Sequence, residues 1–181
     1  MDNMLPFPIN EASTDSSLDG LQGQTYTHEG LDLMLVKTGG SLTAPGGYFY
    51  SWADRSEDAA TITTKTAGLA EPGTIAGLVP ATLSGNVASD SYLFVIVGGK
   101  ENNRKGTLNS VAFFSSAQVG AAGKGIIPLS SGTVGVFEVS STVQQGYKIG
   151  VTNQVTSSST WLSSDTYGAA GWAEVTVQLS C

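Results

Sequence analysis

Ser91-Tyr92-Leu93-Phe94-Val95-Ile96-Val97-Gly98-Gly99-Lys100 is the stretch that decides the fold of this chain. Tyr92–Val97 is an unbroken apolar run of aromatic and β-branched residues, with Asp90 before it and two glycines after it. A run so short, rich in strand formers and ended by glycine predicts a strand buried on both faces. A second apolar run, Thr74–Pro80 (T-I-A-G-L-V-P), lies upstream and ends in proline, and the small, polar Ala81–Asp90 joins the two.

The same signals recur on either side. Leu31–Lys37 alternates in part and ends at Gly39-Gly40, and Pro45-Gly46-Gly47 turns into the aromatic strand Tyr48-Phe49-Tyr50-Ser51-Trp52. An acidic turn, Asp54–Asp58, leads to Ala60–Thr66, whose threonines predict a strand with one wet face. Further strands are expected within Thr107–Ser115, Gly132–Ser140 and Gly146–Thr152, with extended chain at Ile126–Pro128. Gly171–Leu179 closes the series, with Glu174, Thr176 and Gln178 expected to face water. About nine short strands separated by Gly- and Ser-rich turns imply an all-β fold, a single β-sandwich or β-barrel spanning residues 31–181.

Residues 1–30 read differently. Met4-Leu5-Pro6-Phe7-Pro8-Ile9 is an apolar patch whose prolines fix φ and remove backbone donors, so it runs extended and cannot enter the middle of a sheet. The polar Asn10–Gly30 follows. Two readings stand: a frayed terminus, or an extended N-terminal arm whose Met4, Leu5, Phe7 and Ile9 bind another subunit or a partner.

Composition narrows the function. The chain has 181 residues, with 23 Gly, 22 Ser and 19 Thr against only 13% charged residues, which starves helices of their usual formers. Its net charge of −7 disfavours a nucleic-acid ligand, because phosphate contacts need clustered Lys and Arg. The one basic cluster, Lys100–Lys105, is interrupted by Glu101 and reads as a solvated turn. No apolar segment approaches the roughly 20 residues that span a bilayer, and the N-terminus lacks the pattern of a signal peptide. A soluble protein made in a cytoplasm is the expectation.

Catalytic chemistry finds little to use. His28 is the only histidine and Cys181, the last residue, the only cysteine, so His- or Cys-based triads and metal sites have no material. Asp54, Glu57 and Asp58 lack the spacing of a calcium loop. No phosphate-binding glycine loop or nucleophile elbow is present. Tyr48, Tyr50, Trp52, Trp161, Tyr167 and Trp172 could line a sugar site, although aromatic residues in a β protein usually belong to its core. The expectation is a non-enzyme without catalytic residues, metal or cofactor.

Five segments carry a resemblance: Leu35-Val36-Lys37-Thr38-Gly39-Gly40, Ala44-Pro45-Gly46-Gly47-Tyr48-Phe49, Ile75-Ala76-Gly77-Leu78-Val79-Pro80, Ser91–Gly99 and Ser131–Phe137. In this order the sequence resembles the small capsid decoration proteins of tailed double-stranded-DNA bacteriophages, also called cement or head-stabilising proteins. It departs from them in Ser91, where glycine is usual, in the Lys100–Lys105 insertion and in the long Asn153–Gly171. The resemblance implies a structural virion protein on the outer capsid surface, often a homotrimer, that binds the major capsid protein and stabilises contacts between its subunits. It implies neither nucleic acid nor membrane as a partner. The alternative is a phage fibre, tail or receptor-binding β module that takes carbohydrate, with Trp161 and Tyr167 exposed.

Overall fold

The computed structural model describes residues 4–56, 59–66, 72–101, 109–113, 125–128, 137–140, 148–155 and 172–179. Among these residues there is no α-helix, and the chain is all-β with eleven strands. They are β1 (Thr25–His28), β2 (Leu31–Thr38), β3 (Phe49–Ser56), β4 (Ala59–Lys65), β5 (Ile75–Leu78) and β6 (Tyr92–Gly99), followed by β7 (Val111–Phe113), β8 (Gly125–Pro128), β9 (Phe137–Ser140), β10 (Gly150–Val155) and β11 (Trp172–Gln178).

Five of these strands close a barrel. β2 pairs with β4, β4 with β3, β3 with β5, β5 with β6, and β6 returns to β2. The β2–β4 pairing is parallel and the other four are antiparallel. Closure removes the free edges that an open sheet of this size would expose. β11 pairs with the last two residues of β6, and the sheet runs on through β10, β8 and β9, while β7 also pairs with β11. A second β layer therefore covers one outer wall of the barrel.

Two cores follow from strand periodicity. Across β2 and β6, Met34 lies opposite Val95 and Val36 opposite Leu93, and these side chains fill the barrel with Tyr50, Ile62, Ala76 and Val79. Their neighbours Leu33, Leu35, Phe94 and Ile96 point outward, into a second core shared with Ile126, Ile149, Val175 and Val177. Tyr92–Val97 is thus buried on both faces, as its composition predicts, with no residue more than 5% exposed. The two following glycines do not end the strand. They belong to β6, where Gly98 and Gly99 pair with Asp32 and Leu31 on one side and with Gln178 and Val177 on the other.

Three departures from the sequence expectations have physical causes. Thr25–His28 was not expected as a strand because Tyr26 is its only large apolar residue. It forms a hairpin with β2 through Glu29 (φ 48°) and Gly30 (φ 88°), the doubly positive turn that matches strand twist. Asp54, Arg55 and Ser56 continue β3 rather than turning, because they pair with Ala59–Thr61 of β4. Glu174 does not face water. It is fully buried, while Gln178 on the same face is exposed, so the alternation identified the two faces but not what covers the outer one.

Candidate functional site

The N-terminal arm lies against the barrel's outer wall, but it is not extended as expected: it bends at Pro6-Phe7 and turns at Pro8–Glu11, where the Glu11 N–H donates to the Pro8 carbonyl at 3.2 Å. Leu5, Phe7 and Ile9 turn inward while Met4, Pro6, Pro8 and Asn10 turn outward, which leaves both prolines where no backbone donor is needed. Phe7 packs on Phe94 with ring centroids 4.8 Å apart, and Tyr26 meets Phe94 edge-on at 5.6 Å. Ile9 is buried in the outer core, and Leu5 and Phe7 pack partly buried against it. Of the four residues singled out for partner binding, these three pack against their own chain, Leu5 and Phe7 with part of their surface still open, and Met4 is 93% exposed. Met4, Leu5, Phe7, Pro8, Ile9, Asn10 and His28 border an open depression of about 750 Å³.

The rest of the arm is tied down. Ser13 exchanges two backbone hydrogen bonds with Tyr92, at 2.9 and 2.7 Å. Asp15 caps the 3-10 turn Ser16–Leu21 by accepting from the Ser17 N–H, and Leu18 buries beneath it. Within that turn, the Asp19 carboxylate accepts from the Tyr92 hydroxyl and from Lys37 Nζ at 3.1 Å. These two donors hold the Asp19 pKa below its ordinary value, Tyr92 contributing more. One exposed carboxylate thereby links the arm to both β2 and β6.

A buried acid lies at the far end of β6. Glu101, expected as part of a solvated basic loop, is 4% exposed. Its carboxylate accepts from the Asn109 backbone N–H at 2.5 Å and from Asn109 Nδ2 at 2.9 Å, and Asn109 in turn accepts from the Thr82 hydroxyl. Burial pushes its pKa up, partly offset by the Asn109 hydrogen bonds. The folded chain therefore holds this proton more tightly than the unfolded chain, whose value is near 4.5. Glu101 contributes stability that grows as pH falls from above its folded value towards 4.5 and is lost as pH rises through that window. Asp19 acts the other way, below 3.8, where its contribution is lost as pH falls. Urea midpoints taken between pH 7 and 4.5 will shift in favour of the natural chain over Glu101→Gln as pH falls. Parallel curves would remove Glu101 as the cause.

Glu174 is the other buried acid among the described residues. Both its carboxylate oxygens lack a hydrogen-bond partner among the described residues, and so does Asn153 Nδ2 on the neighbouring strand. Thr176, two residues along the same face, donates from Oγ1 to Asn153 Oδ1 at 2.7 Å. These three polar side chains form a stripe on the face of β10 and β11 turned away from the apolar core.

The remaining candidates disperse. His28 sits on β1 at the rim of the arm's depression, with no second histidine to join it. Tyr50 fills the barrel, where burial, reinforced by Tyr48, pushes its hydroxyl pKa up to about 12. Tyr48 and Trp52 flank that core, and a cation covers each ring: Lys65 Nζ lies 3.3 Å from the Tyr48 centroid and Arg55 5.3 Å from that of Trp52. Among the described residues, no group of three or more His, Cys, Asp or Glu could hold a metal ion. Glu57, Asp58, Trp161, Tyr167 and Cys181 lie outside the described residues, as do most of Lys100–Lys105 and Ser131–Phe137. Among the described residues, no helix is long and apolar enough to cross a membrane. No protein-family model matches the chain, and a search of curated proteins returns no match.

Proposed function

We propose that this protein is a structural, non-enzymatic component of a tailed-phage virion. It binds the outer face of the major capsid protein shell as a homotrimer and reinforces contacts between shell subunits. The observation that carries this reading joins sequence to fold. The segments of resemblance at residues 35–40, 44–49, 75–80 and 91–99 fall on β2, β3, β5 and β6 and the turns between them, all within one closed barrel. A rigid barrel with an apolar arm along its wall suits a symmetric assembly, in which many modest contacts add up across a shell. Among the described arm residues, Met4 and the open parts of Leu5 and Phe7 are the apolar surface offered to a neighbour.

The test is direct. Purified protein is added to expanded shells of major capsid protein that lack it, and bound copies are counted after sedimentation. Saturable binding at a fixed ratio to the shell subunit is expected, and its absence would refute the proposal. Because Ile9, Leu18 and Asp19 also hold the fold, the arm is better probed by Met4→Asp than by deletion. That substitution is expected to weaken shell binding about tenfold while leaving the unfolding midpoint unchanged. The glycan-binding alternative rests on Trp161 and Tyr167, which lie outside the described residues; a shift of tryptophan fluorescence with oligosaccharides would support it.

A further inference from the structure

We infer that a second copy of this chain docks on the free edge of β1, so that two β1 strands pair antiparallel across a two-fold axis. β1 ends the sheet. Among the described residues its one partner strand is β2, with Thr25 opposite Met34, Tyr26 opposite Leu33, Thr27 opposite Asp32 and His28 opposite Leu31. The Leu35 N–H donates to the Gln24 carbonyl at 3.0 Å, which sets the alternation along this ladder. Tyr26 and His28 therefore turn their backbone polar groups towards β2, and Thr25 and Thr27 turn theirs away from it. Neither threonine's N–H or C=O has a backbone partner among the described residues. Thr25 is exposed and Thr27 half-buried, so the edge is open to another chain.

The pattern of free groups selects the occupant, because this edge is complementary to itself. With Tyr26 on the axis, Thr25 of one copy meets Thr27 of the other, and every outward N–H finds an outward C=O. Any shift in register leaves at least one threonine unmatched. Tyr26 then faces its own copy from the side of the strand that packs on Phe94, an aromatic pair across the new ladder. His28 lies on that side too and borders the arm's depression with Leu5, Phe7 and Ile9, so each copy brings an apolar surface to the contact. Charge permits the pairing. The chain carries −7 overall, which opposes self-association, yet Gln22–His28 holds no formal charge. The antiparallel arrangement sets Glu29 beside Gly23 of the second copy, which keeps the two acidic hairpin tips at opposite ends. Proteins guard exposed edges with proline or lysine, and Thr25–His28 has neither. The contact is two-fold, distinct from the three-fold association proposed above, and does not rest on the capsid reading.

The test reads amide hydrogen exchange at Thr25 and Thr27 by NMR in the full-length protein, dilute and concentrated, with sedimentation at the same concentrations. Both amides are expected to exchange freely when dilute and at least tenfold more slowly when concentrated, in step with association. Thr27→Pro removes an outward donor and leaves the ladder with β2 intact. It is expected to abolish the slowing at Thr25 while the urea midpoint changes little. Thr25→Pro, the second variant, should do the same at Thr27. Free exchange at every concentration, slow exchange already present in the monomer, or slowing that persists at the remaining threonine of both variants would each overturn the inference. Trimers whose Thr25 and Thr27 amides still exchange freely would overturn it and leave the capsid proposal standing. Failure to bind shells would overturn that proposal alone.

Discussion

Phe94→Ala is expected to destabilise the fold by about 3–5 kcal/mol, the usual cost of removing a fully buried phenylalanine. Phe94 is 0% exposed and holds three elements together: its own strand β6, the arm through Phe7 and the first hairpin through Tyr26. Urea unfolding measures the loss. Phe7→Ala should cost less, since Phe7 is only partly buried. The double variant should fall short of the sum by about 0.5–1.5 kcal/mol, the coupling of a packed aromatic pair. Strict additivity would mean that the arm does not rest on β6 in solution. Met4→Ala, at a position 93% exposed, is the neutral control.

Gly99→Ala should cost about 4 kcal/mol or more, a loss that few surface-like substitutions reach. Gly99 has φ 80°, and a Cβ there would lie 2.2 Å from the Gly30 carbonyl oxygen. Neither obstacle can yield easily. Gly30 is fixed in the doubly positive turn of the first hairpin, and Gly99 is paired on both sides, with Leu31 and Val177. Gly40→Ala provides the comparison, because nothing lies within 4 Å of its added methyl and its φ is not positive. That change should stay within about 0.5 kcal/mol. A mild effect at Gly99 would show that the junction of β2, β6 and β11 is looser than described.

The strands were legible wherever apolar content was high. Tyr92–Val97 and Leu31–Lys37 declare themselves because both of their faces must be covered, so almost every position is apolar. β1 hid because its stability comes from pairing with β2 and from the Glu29-Gly30 turn, while its own residues are mostly polar. The arm shows a related limit. The spacing of Leu5, Phe7 and Ile9 is plain in the sequence, but the surface that receives them is made by Phe94 and its neighbours, far along the chain. Glu174 was misread for the converse reason: a polar residue in an alternating strand faces water only if no further layer lies over it.

The position of the barrel strands along the chain bears on how the molecule is made. All five lie between residues 31 and 99, so the ring can close while the strands of the outer layer are still being synthesised. At that moment the wall formed by Leu33, Leu35, Phe94 and Ile96 has not yet received Val175 and Val177. The arm, made before the barrel strands, is already at hand, and it lies against Phe94. On a growing chain such a cover shields part of the apolar wall from other nascent proteins until the last strand arrives.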